Sequence, residues 1–227
     1  MNRKINIFGI DITVLTAKEV MKCAIQYLEE ETVNTIELVT LEMLMKEKDD
    51  EIWREQVQKF DLLLPGEKAL LETSEELEHN LVRDVDNATF LRMFFKYLQK
   101  NRKTLFLLAE SEDELVRIQT VLKLYASGLL IAGQAVLPTD GSMEENVINE
   151  INGVEPDCIL SGLSTPYGET FAVRCKALLN ARLLLNGILA VSESKEKKTS
   201  GRIVQFMMKK FFHYQVKKQK TDMTDIN

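Results

Sequence analysis

Short apolar runs alternate along the chain with longer amphipathic stretches. Most of the runs consist almost entirely of Leu, Ile and Val, which is typical of parallel strands that are buried on both faces. The predicted strands are residues 5–8, 12–14, 35–41, 61–64, 104–108, 129–132, 158–163 and 183–189. The first two runs flank Gly9-Ile10-Asp11, so they can alternatively form a small antiparallel hairpin near the edge of a sheet.

The stretches between these runs have helical periodicity and recognisable start signals. Thr16 and Glu19 form a Thr-x-x-Glu capping box that opens a helix reaching about residue 30. Asp86 or Asn87 can cap a helix over residues 88–100. Ser111 repeats the capping pattern before a helix at residues 115–125. An acidic start predicts a further helix over residues 142–151. This alternation predicts a three-layer, Rossmann-like α/β fold, with a mainly parallel sheet and helices on both faces.

The character of the chain changes near residue 192. Residues 192–201 are polar and charged, which predicts a linker between an α/β domain at 1–191 and a C-terminal appendage at 202–220. The appendage is predicted to be a basic amphipathic helix, with Arg202, Lys209 and Lys217 on one side. Met207 and Phe211 are among the apolar residues on the other side.

Charge is distributed unevenly along the chain. The net charge is −6, yet residues 195–220 alone carry +8, which leaves −14 for the remainder. A basic amphipathic helix can lie on an anionic membrane surface, or it can pack on its own domain with its lysines solvated. The residues predicted to contact the membrane are Lys209, Lys210, Phe211, Lys217 and Lys218. Nucleic acid is not an expected partner, because the body is acidic and no recognised nucleic-acid motif is present.

The chain has few of the residues that metal binding, redox chemistry or a Ser-His-Asp triad would require. The three cysteines, Cys23, Cys158 and Cys175, have no Cys-x-x-Cys spacing and are predicted to be reduced, packed thiols. With His79 and His213 as the two histidines, we expect no metal site, no cofactor and no Ser-His-Asp triad. The longest apolar runs fall short of the ~20 residues of a membrane span, and the N-terminus lacks a secretory signal. We therefore expect a cytoplasmic protein, peripheral to the membrane if the tail binds there.

Five stretches occur in a recognisable order: residues 5–12 with Leu15-Thr16, residues 38–44, 60–66 and 104–108, and residues 157–163 followed by Pro166 and Glu169. In this order they resemble the bacterial WecG/TagA/CpsF glycosyltransferase family, over nearly the whole chain to about residue 218. The resemblance implies transfer of an N-acetylhexosamine from a UDP-sugar to a lipid-linked precursor of a cell-surface polymer. It also implies a basic C-terminal extension that associates with the membrane and covers the active site, and oligomers as a frequent state.

The chain departs from the family pattern at five places. The family's Pro-Asp-Gly, whose Asp is the proposed base, reads Pro65-Gly66-Glu67, and its Thr-x-Asn-x-Glu reads Thr40-Leu41-Glu42. The family's glycine-rich turn after residues 104–108 reads Ala109-Glu110-Ser111. The Gly-x-x-x-Pro-Lys-Gln-Glu signature at 162–169 lacks its Lys and Gln. The late Gly-Val-Gly-Gly-x-Phe-Asp stretch is replaced at 186–191. These losses favour a non-catalytic relative that pairs with an active paralogue, whereas the resemblance itself favours an active, divergent enzyme.

Two residues are candidates for catalysis by this resemblance. Glu67 is the carboxylate nearest to the missing Asp, so it is either a surrogate base or a solvated charge at a helix start. Thr40 matches a family position that lines the pocket, or it simply ends a strand.

Three further residues are candidates for substrate binding. Arg83 lies in the region of a substrate-contacting Arg, or forms a surface ion pair with Asp84. Gly162 and Glu169 match the ends of the Gly-x-x-x-Pro-Lys-Gln-Glu signature. Glu169 is alternatively an ordinary first-turn Glu that favours the helix dipole.

Overall fold

The computed structural model describes residues 3–72 and 79–189, together with Lys210, His213 and Tyr214. The strands are β1 (Arg3–Ile7), β2 (Ile10–Val14), β3 (Asn34–Val39), β4 (Leu62–Pro65), β5 (Thr104–Ala109), β6 (Leu130–Val136), β7 (Cys158–Ser161) and β8 (Leu183–Asn186). The helices are α1 (Ala17–Glu29), α2 (Leu41–Lys46), α3 (Glu51–Val57), α4 (Lys68–Leu71), α5 (His79–Asp86), α6 (Thr89–Lys100), α7 (Glu112–Tyr125), α8 (Glu144–Val154) and α9 (Tyr167–Cys175), with a short 3-10 helix at Lys176–Leu178.

Six of these strands form one parallel sheet in the order β4-β3-β8-β7-β5-β6. Helices cover both faces, so β3, β4, β7 and β8 are buried along their whole length. This burial accounts for the largely apolar sequences of β4, β7 and β8. β3 is an exception, because it also buries Asn34, Thr35 and Glu37. The predicted α/β fold with a parallel sheet is confirmed.

The first two strands form a separate antiparallel hairpin, which confirms that alternative. Phe8 and Gly9 form the turn with φ of 52° and 81°, the pair of left-handed conformations that a tight two-residue hairpin requires. The second strand packs against β4 at the edge of the main sheet. Ile7, Ile10 and Ile12 are thereby buried in the core on one face of that sheet.

The two faces of the sheet carry separate apolar cores. One contains the hairpin, Trp53 from α3 and Phe171 from α9. The other contains α1, α6 and α7, with Phe94, Phe95 and Ile118 fully buried. Each helix thus presents a single apolar stripe to one face of the sheet.

The helix starts agree only in part with the predicted caps. The capping box at α1 is confirmed: the Thr16 side chain accepts from the Glu19 N–H at 3.3 Å, and Glu19 Oε2 accepts from the Thr16 N–H at 2.8 Å. The predicted cap of α6 is wrong. Asp86 belongs to α5 and pairs with Lys68, so α6 instead follows Ala88 in the left-handed conformation, with φ of 49° and no side-chain cap.

Two other helix boundaries also differ. At α7, Ser111 Oγ accepts from the Glu114 N–H as predicted, but Glu114 Oε2 accepts from the Glu110 N–H, one residue before the expected donor. The helix predicted at 142–151 is α8, which starts at Glu144 and ends at Val154. It starts late because Ser142 binds Asp140 in the preceding turn.

The parallel strands begin at what we call the amino edge of the sheet, where the same hydrogen-bonding arrangement occurs twice. Asp61 Oδ2, before β4, accepts from the Thr35 N–H at 2.7 Å and from Lys176 Nζ at 2.6 Å. Asp157, before β7, accepts from the Thr104 N–H at 2.7 Å and from Lys103 Nζ at 2.8 Å. Each aspartate therefore ties two neighbouring strands together and is neutralised by a lysine.

No helix within the described residues is long and apolar enough to cross a membrane. The predicted linker at 192–201 and the tail at 202–220 lie outside the described residues, apart from Lys210, His213 and Tyr214. Of the residues predicted to contact the membrane, Lys210 is described, and it is exposed.

Candidate functional site

The strands end at the opposite, carboxyl edge of the sheet, which is where open α/β folds bind their ligands. Four of the predicted site residues lie there. Thr40 follows β3, Glu67 follows β4, Gly162 follows β7, and Glu169 lies in the first turn of α9. The loops after these strands bring together positions that are up to 129 residues apart in the sequence.

Thr40 and Glu67 both bind the start of α2. Thr40 Oγ1 accepts from the Met43 N–H at 3.3 Å, and Glu67 Oε1 accepts from the Leu41 N–H at 2.6 Å. Both side chains are buried, and the Gly66 N–H donates to the Val39 carbonyl at 2.7 Å, which holds the turn after β4 against β3. The interpretation of Glu67 as a solvated charge is therefore wrong. Glu67 stands at the start of α4, but its side chain is buried and accepts from the Leu41 N–H of another helix.

Glu169 is also buried, so its position in the first turn of α9 does not make it an ordinary solvated glutamate. Its exposed fraction is 1%, and Thr165 Oγ1 donates to its Oε1 at 2.6 Å. Sequence reasoning missed its neighbour Glu37, which lies in β3 and accepts from Asn186 Nδ2 of β8 at 2.7 Å. The available signal was a glutamate within the apolar run at 35–41.

Burial raises the pKa of both carboxyl groups, which we call the buried acid pair. Burial raises the pKa of Glu37 well above its usual value, and the charge of Glu169 raises it further. Burial likewise raises the pKa of Glu169, against the lowering effect of the bond from Thr165.

The loop at residues 109–111 lies at the carboxyl edge between β5 and β7. Glu110 Oε1 accepts from both the backbone N–H and the hydroxyl of Ser164, at 2.7 and 2.6 Å. The Glu110 N–H donates to Glu114 Oε2 at 2.9 Å. The chain's own carboxylates therefore bind donors at the start of α7 and in the loop after β7, positions that an anionic ligand would use in other α/β proteins.

Gly162 has a packing role in the structure. Its N–H donates to the Leu108 carbonyl at 2.7 Å, which continues the pairing of β5 with β7. A Cβ at this position would lie 2.7 Å from Leu189 Cδ1 and 2.9 Å from Ile118 Cδ1. A larger residue would therefore require the Leu189 and Ile118 side chains to shift.

Arg83 and Asp84 have different partners in the described structure. Arg83 is exposed and donates to Asn80 Oδ1 at 3.2 Å, whereas Asp84 Oδ2 accepts from the Ala17 N–H at 3.2 Å. Asp84 also lines an open, largely apolar pocket of about 50 Å³ together with Pro65, Gly66 and nine apolar residues. Those nine residues are Leu15, Ala17, Val20, Leu38, Leu64, Val85, Ala88, Phe90 and Leu91. Asp84 is the charged residue of this lining, so the pocket beside the Pro65-Gly66 turn is not cationic.

The cysteines are free thiols, as predicted. Burial raises the pKa of the Cys158 thiol far above its usual value, which suits a packed, unreactive side chain. Within the part of the chain that the structure describes, no group of three or more His, Cys, Asp or Glu residues is arranged to hold a metal ion.

Comparison with known proteins places this site in context. The family model described as "Glycosyl transferase WecG/TagA/CpsF family" matches residues 5–207, which include every strand and helix named above apart from the first two residues of β1. A sequence search of curated proteins finds no match.

Proposed function

Since the chain belongs to the WecG/TagA/CpsF family of glycosyltransferases, we propose that it is a non-catalytic member of that family. In this proposal it keeps the fold that handles a UDP-sugar and a lipid-linked acceptor, but does not transfer the sugar. It instead acts at the inner face of the membrane as a partner or regulator of an active family member. The tail residues Lys209, Lys210, Phe211, Lys217 and Lys218 provide the membrane contact.

One observation carries this proposal: carboxylates of the chain itself occupy donors at the carboxyl edge. Glu67 binds the start of α2, Glu114 binds the Glu110 N–H, and Glu110 binds Ser164. A diphosphate would have to displace these groups and would be repelled by their charge. Glu67 is also poorly placed to act as a base, because its Oε1 is held 2.6 Å from the Leu41 N–H.

A second candidate function is an active transferase that moves an N-acetylhexosamine from a UDP-sugar to a lipid-linked acceptor. The observation that favours it is Asp84, a carboxylate beside the Pro65-Gly66 turn in an open pocket. In this reaction Asp84 takes the proton of the acceptor hydroxyl while the oxygen attacks the anomeric carbon. The bond from that carbon to the UDP oxygen breaks, and UDP leaves with the bonding electrons.

The two functions are separated by nucleotide binding and turnover with the purified full-length chain. We expect no rise in melting temperature with UDP or UDP-N-acetylglucosamine at millimolar concentration, because a ligand stabilises a protein only when it binds the folded state. We also expect no UDP release with a short-chain prenyl-diphosphate-linked acceptor.

The informative variant is Glu110→Gly, which restores a glycine and removes a carboxylate. It should gain a measurable UDP-dependent thermal shift, whereas the exposed control Glu150→Gln should behave like the wild type. UDP release by the wild type overturns the non-catalytic proposal. Asp84→Asn and Glu67→Gln then identify the base, according to which of them abolishes turnover.

The membrane part of the proposal has a separate test. Co-sedimentation with vesicles that contain phosphatidylglycerol should be strong for the full chain and lost on truncation after residue 200. Vesicles of phosphatidylcholine alone are the control. Equal binding of the truncated chain would remove the tail from the proposal and leave the nucleotide result unaffected.

A further inference from the structure

Strand β6 forms one end of the parallel sheet, and no strand within the described residues pairs with its outer side, which we call the β6 edge. The opposite end of the sheet is different, because strand β2 of the hairpin packs against β4. β6 has neither a charged residue nor a proline, two common means of preventing an edge strand from pairing. Its Leu130 and Ile131 are 40% and 44% exposed. A register shift leaves Ala132 without a partner on β5, but residues 133–136 pair regularly, so this half of the strand can accept a further strand.

Helix α7 flanks the β6 edge on one face of the sheet, and its contacts show which side of the helix faces that edge. Gln119 Nε2 donates to Gln134 Oε1 of β6 at 2.8 Å, whereas the ring of Tyr125 lies 5.6 Å from that of Phe95 on α6. The side of α7 that contains Gln119 therefore faces the β6 edge. At helical spacing this side carries Glu112, Val116, Gln119 and Lys123.

Helix α8 flanks the β6 edge on the other face of the sheet and packs against β6. Its Asn152 Nδ2 donates to the Leu178 carbonyl at 2.8 Å, so that side of α8 faces the 3-10 helix and the interior of the sheet. The opposite side, towards the β6 edge, carries Met143, Asn146, Glu150 and Val154. When this row is reversed end for end, apolar Met143 lies opposite apolar Val154, and Asn146 can donate to Glu150.

The row on α7 is also complementary to itself. When two copies of α7 lie antiparallel, Glu112 of each copy lies opposite Lys123 of the other, and Val116 lies opposite Gln119. Glu112 and Lys123 are both exposed, and Val116 is 59% exposed. The bond from Gln119 to Gln134 places the middle of α7 level with the middle of β6. One two-fold axis can therefore relate the helix row and the strand at the same time.

We propose that the β6 edge docks a second copy of this chain, with β6 antiparallel to β6 and the two-fold axis normal to the sheet. Two six-stranded sheets then form one continuous sheet. The strip is about 23 Å long and about 30 Å across its three layers, or roughly 700 Å² per copy, which is close to the roughly 800 Å² of a standard interface. The interface lies away from the carboxyl edge, so the proposal does not rest on the proposed function.

Sedimentation velocity of the full-length chain should show, at micromolar concentration, a species of twice the chain mass of 26.0 kDa. Glu112→Lys and Lys123→Glu each place like charges opposite each other twice in the dimer, so each should weaken dimerisation about tenfold. An equimolar mixture of these two variants should restore the dimer, because both contacts of the mixed dimer join opposite charges. Single variants that fail to associate when mixed would contradict the antiparallel arrangement.

Ile131→Lys tests the strand itself, because it places a charge on the β6 edge. We expect it to abolish the dimer and to leave the fold intact, since the position is exposed. The matched control is Ile52→Lys on α3, where an isoleucine is 73% exposed, and this variant should dimerise like the wild type. A monomeric wild type, or a dimer that survives Ile131→Lys, overturns the proposal.

Amide hydrogen exchange distinguishes a second copy from another segment of the same chain. Exchange at residues 130–136 should be slow in the dimer and should become faster on dilution to the monomer. Slow exchange that persists in a monomeric wild type would mean that the chain covers its own β6 edge, and would exclude the dimer proposed here.

Discussion

The carboxylates at the two edges of the parallel sheet have different hydrogen-bond partners. At the amino edge, Asp61 and Asp157 each bind a backbone N–H, a threonine hydroxyl and a lysine. At the carboxyl edge, Glu37 and Glu169 are more deeply buried and bind an amide and a hydroxyl. The carboxylates of the amino edge are thus neutralised by lysines, whereas the two glutamates of the carboxyl edge, where open α/β folds bind ligands, have no lysine or arginine bound to them in the described structure.

The presence or absence of a lysine partner determines whether a carboxylate stabilises the fold in its ionised form. Charge-assisted bonds with a nearby lysine stabilise Asp157 in its ionised form, so its pKa is lowered despite its partial burial. The buried acid pair has no such partner among the described residues, and its pKa values are raised. Substitutions at the two edges should therefore differ in both size and pH dependence.

The largest effect is expected from Gly187→Ala at the carboxyl edge. Gly187 has φ of +81°, and an added Cβ would lie 2.7 Å from the Leu38 carbonyl oxygen, which belongs to a buried strand. We expect a loss of about 3 kcal/mol in the free energy of unfolding, measured by urea denaturation. Gly153→Ala in α8, where no atom lies within 4 Å, is the control and should be neutral or stabilising by about 0.5 kcal/mol. Similar losses for both would contradict the packing described at this edge.

The next effect concerns the amino edge. Asp157→Ala removes the acceptor for the Thr104 N–H and leaves Lys103 partly buried without its partner, so we expect a loss of about 2 kcal/mol at pH 7. The control is Asp49→Asn, whose side chain is 85% exposed beside Lys48, and which should change the unfolding free energy by less than about 0.5 kcal/mol.

The pH dependence of this variant sharpens the comparison. Burial alone would raise the pKa of Asp157, but the hydrogen bonds from Lys103 and Thr104 lower this pKa. Its contribution is therefore present above the unfolded value of about 3.9 and is lost as the pH falls through the folded-state pKa. The gap between wild type and Asp157→Ala should close below about pH 4. A gap that instead widens in acid would contradict the assignment.

The smallest effect is expected at Glu67. Glu67→Gln keeps an acceptor for the Leu41 N–H but removes the charge at the start of α2, so we expect a loss of about 1 kcal/mol. Because Thr40 caps the same helix, Thr40→Ala and Glu67→Gln should be non-additive in a double-mutant cycle. Strict additivity would mean that the two side chains stabilise α2 independently.

The sequence predicts the sheet well because burial on both faces leaves unbroken apolar runs. The prediction is poorer where this rule weakens. The edge strand β6 extends to Val136, beyond the predicted end at residue 132. The prediction stopped early because Gly133 and Gln134 interrupt the apolar pattern of this exposed strand. The cap of α6 was missed because a left-handed alanine carries no sequence signal.

The site was predictable only as a set of positions. Thr40, Glu67, Gly162 and Glu169 were identified by resemblance and do lie at one edge of the sheet. Their burial could not be predicted, because it depends on pairings between distant strands, such as β3 with β8. Glu37 and Asn186 are 149 residues apart, and nothing local in either segment indicates the other.

The strand order has a consequence for how the domain forms. The last two strands of the described part of the chain, β7 and β8, occupy the centre of the sheet between the β3-β4 pair and the β5-β6 pair. During synthesis those two pairs have no common neighbour until residue 186 has left the ribosome, and each carries a bare apolar edge in the meantime. Folding should therefore be completed late and in one step, and a nascent chain that stalls before β8 is a natural client for chaperones.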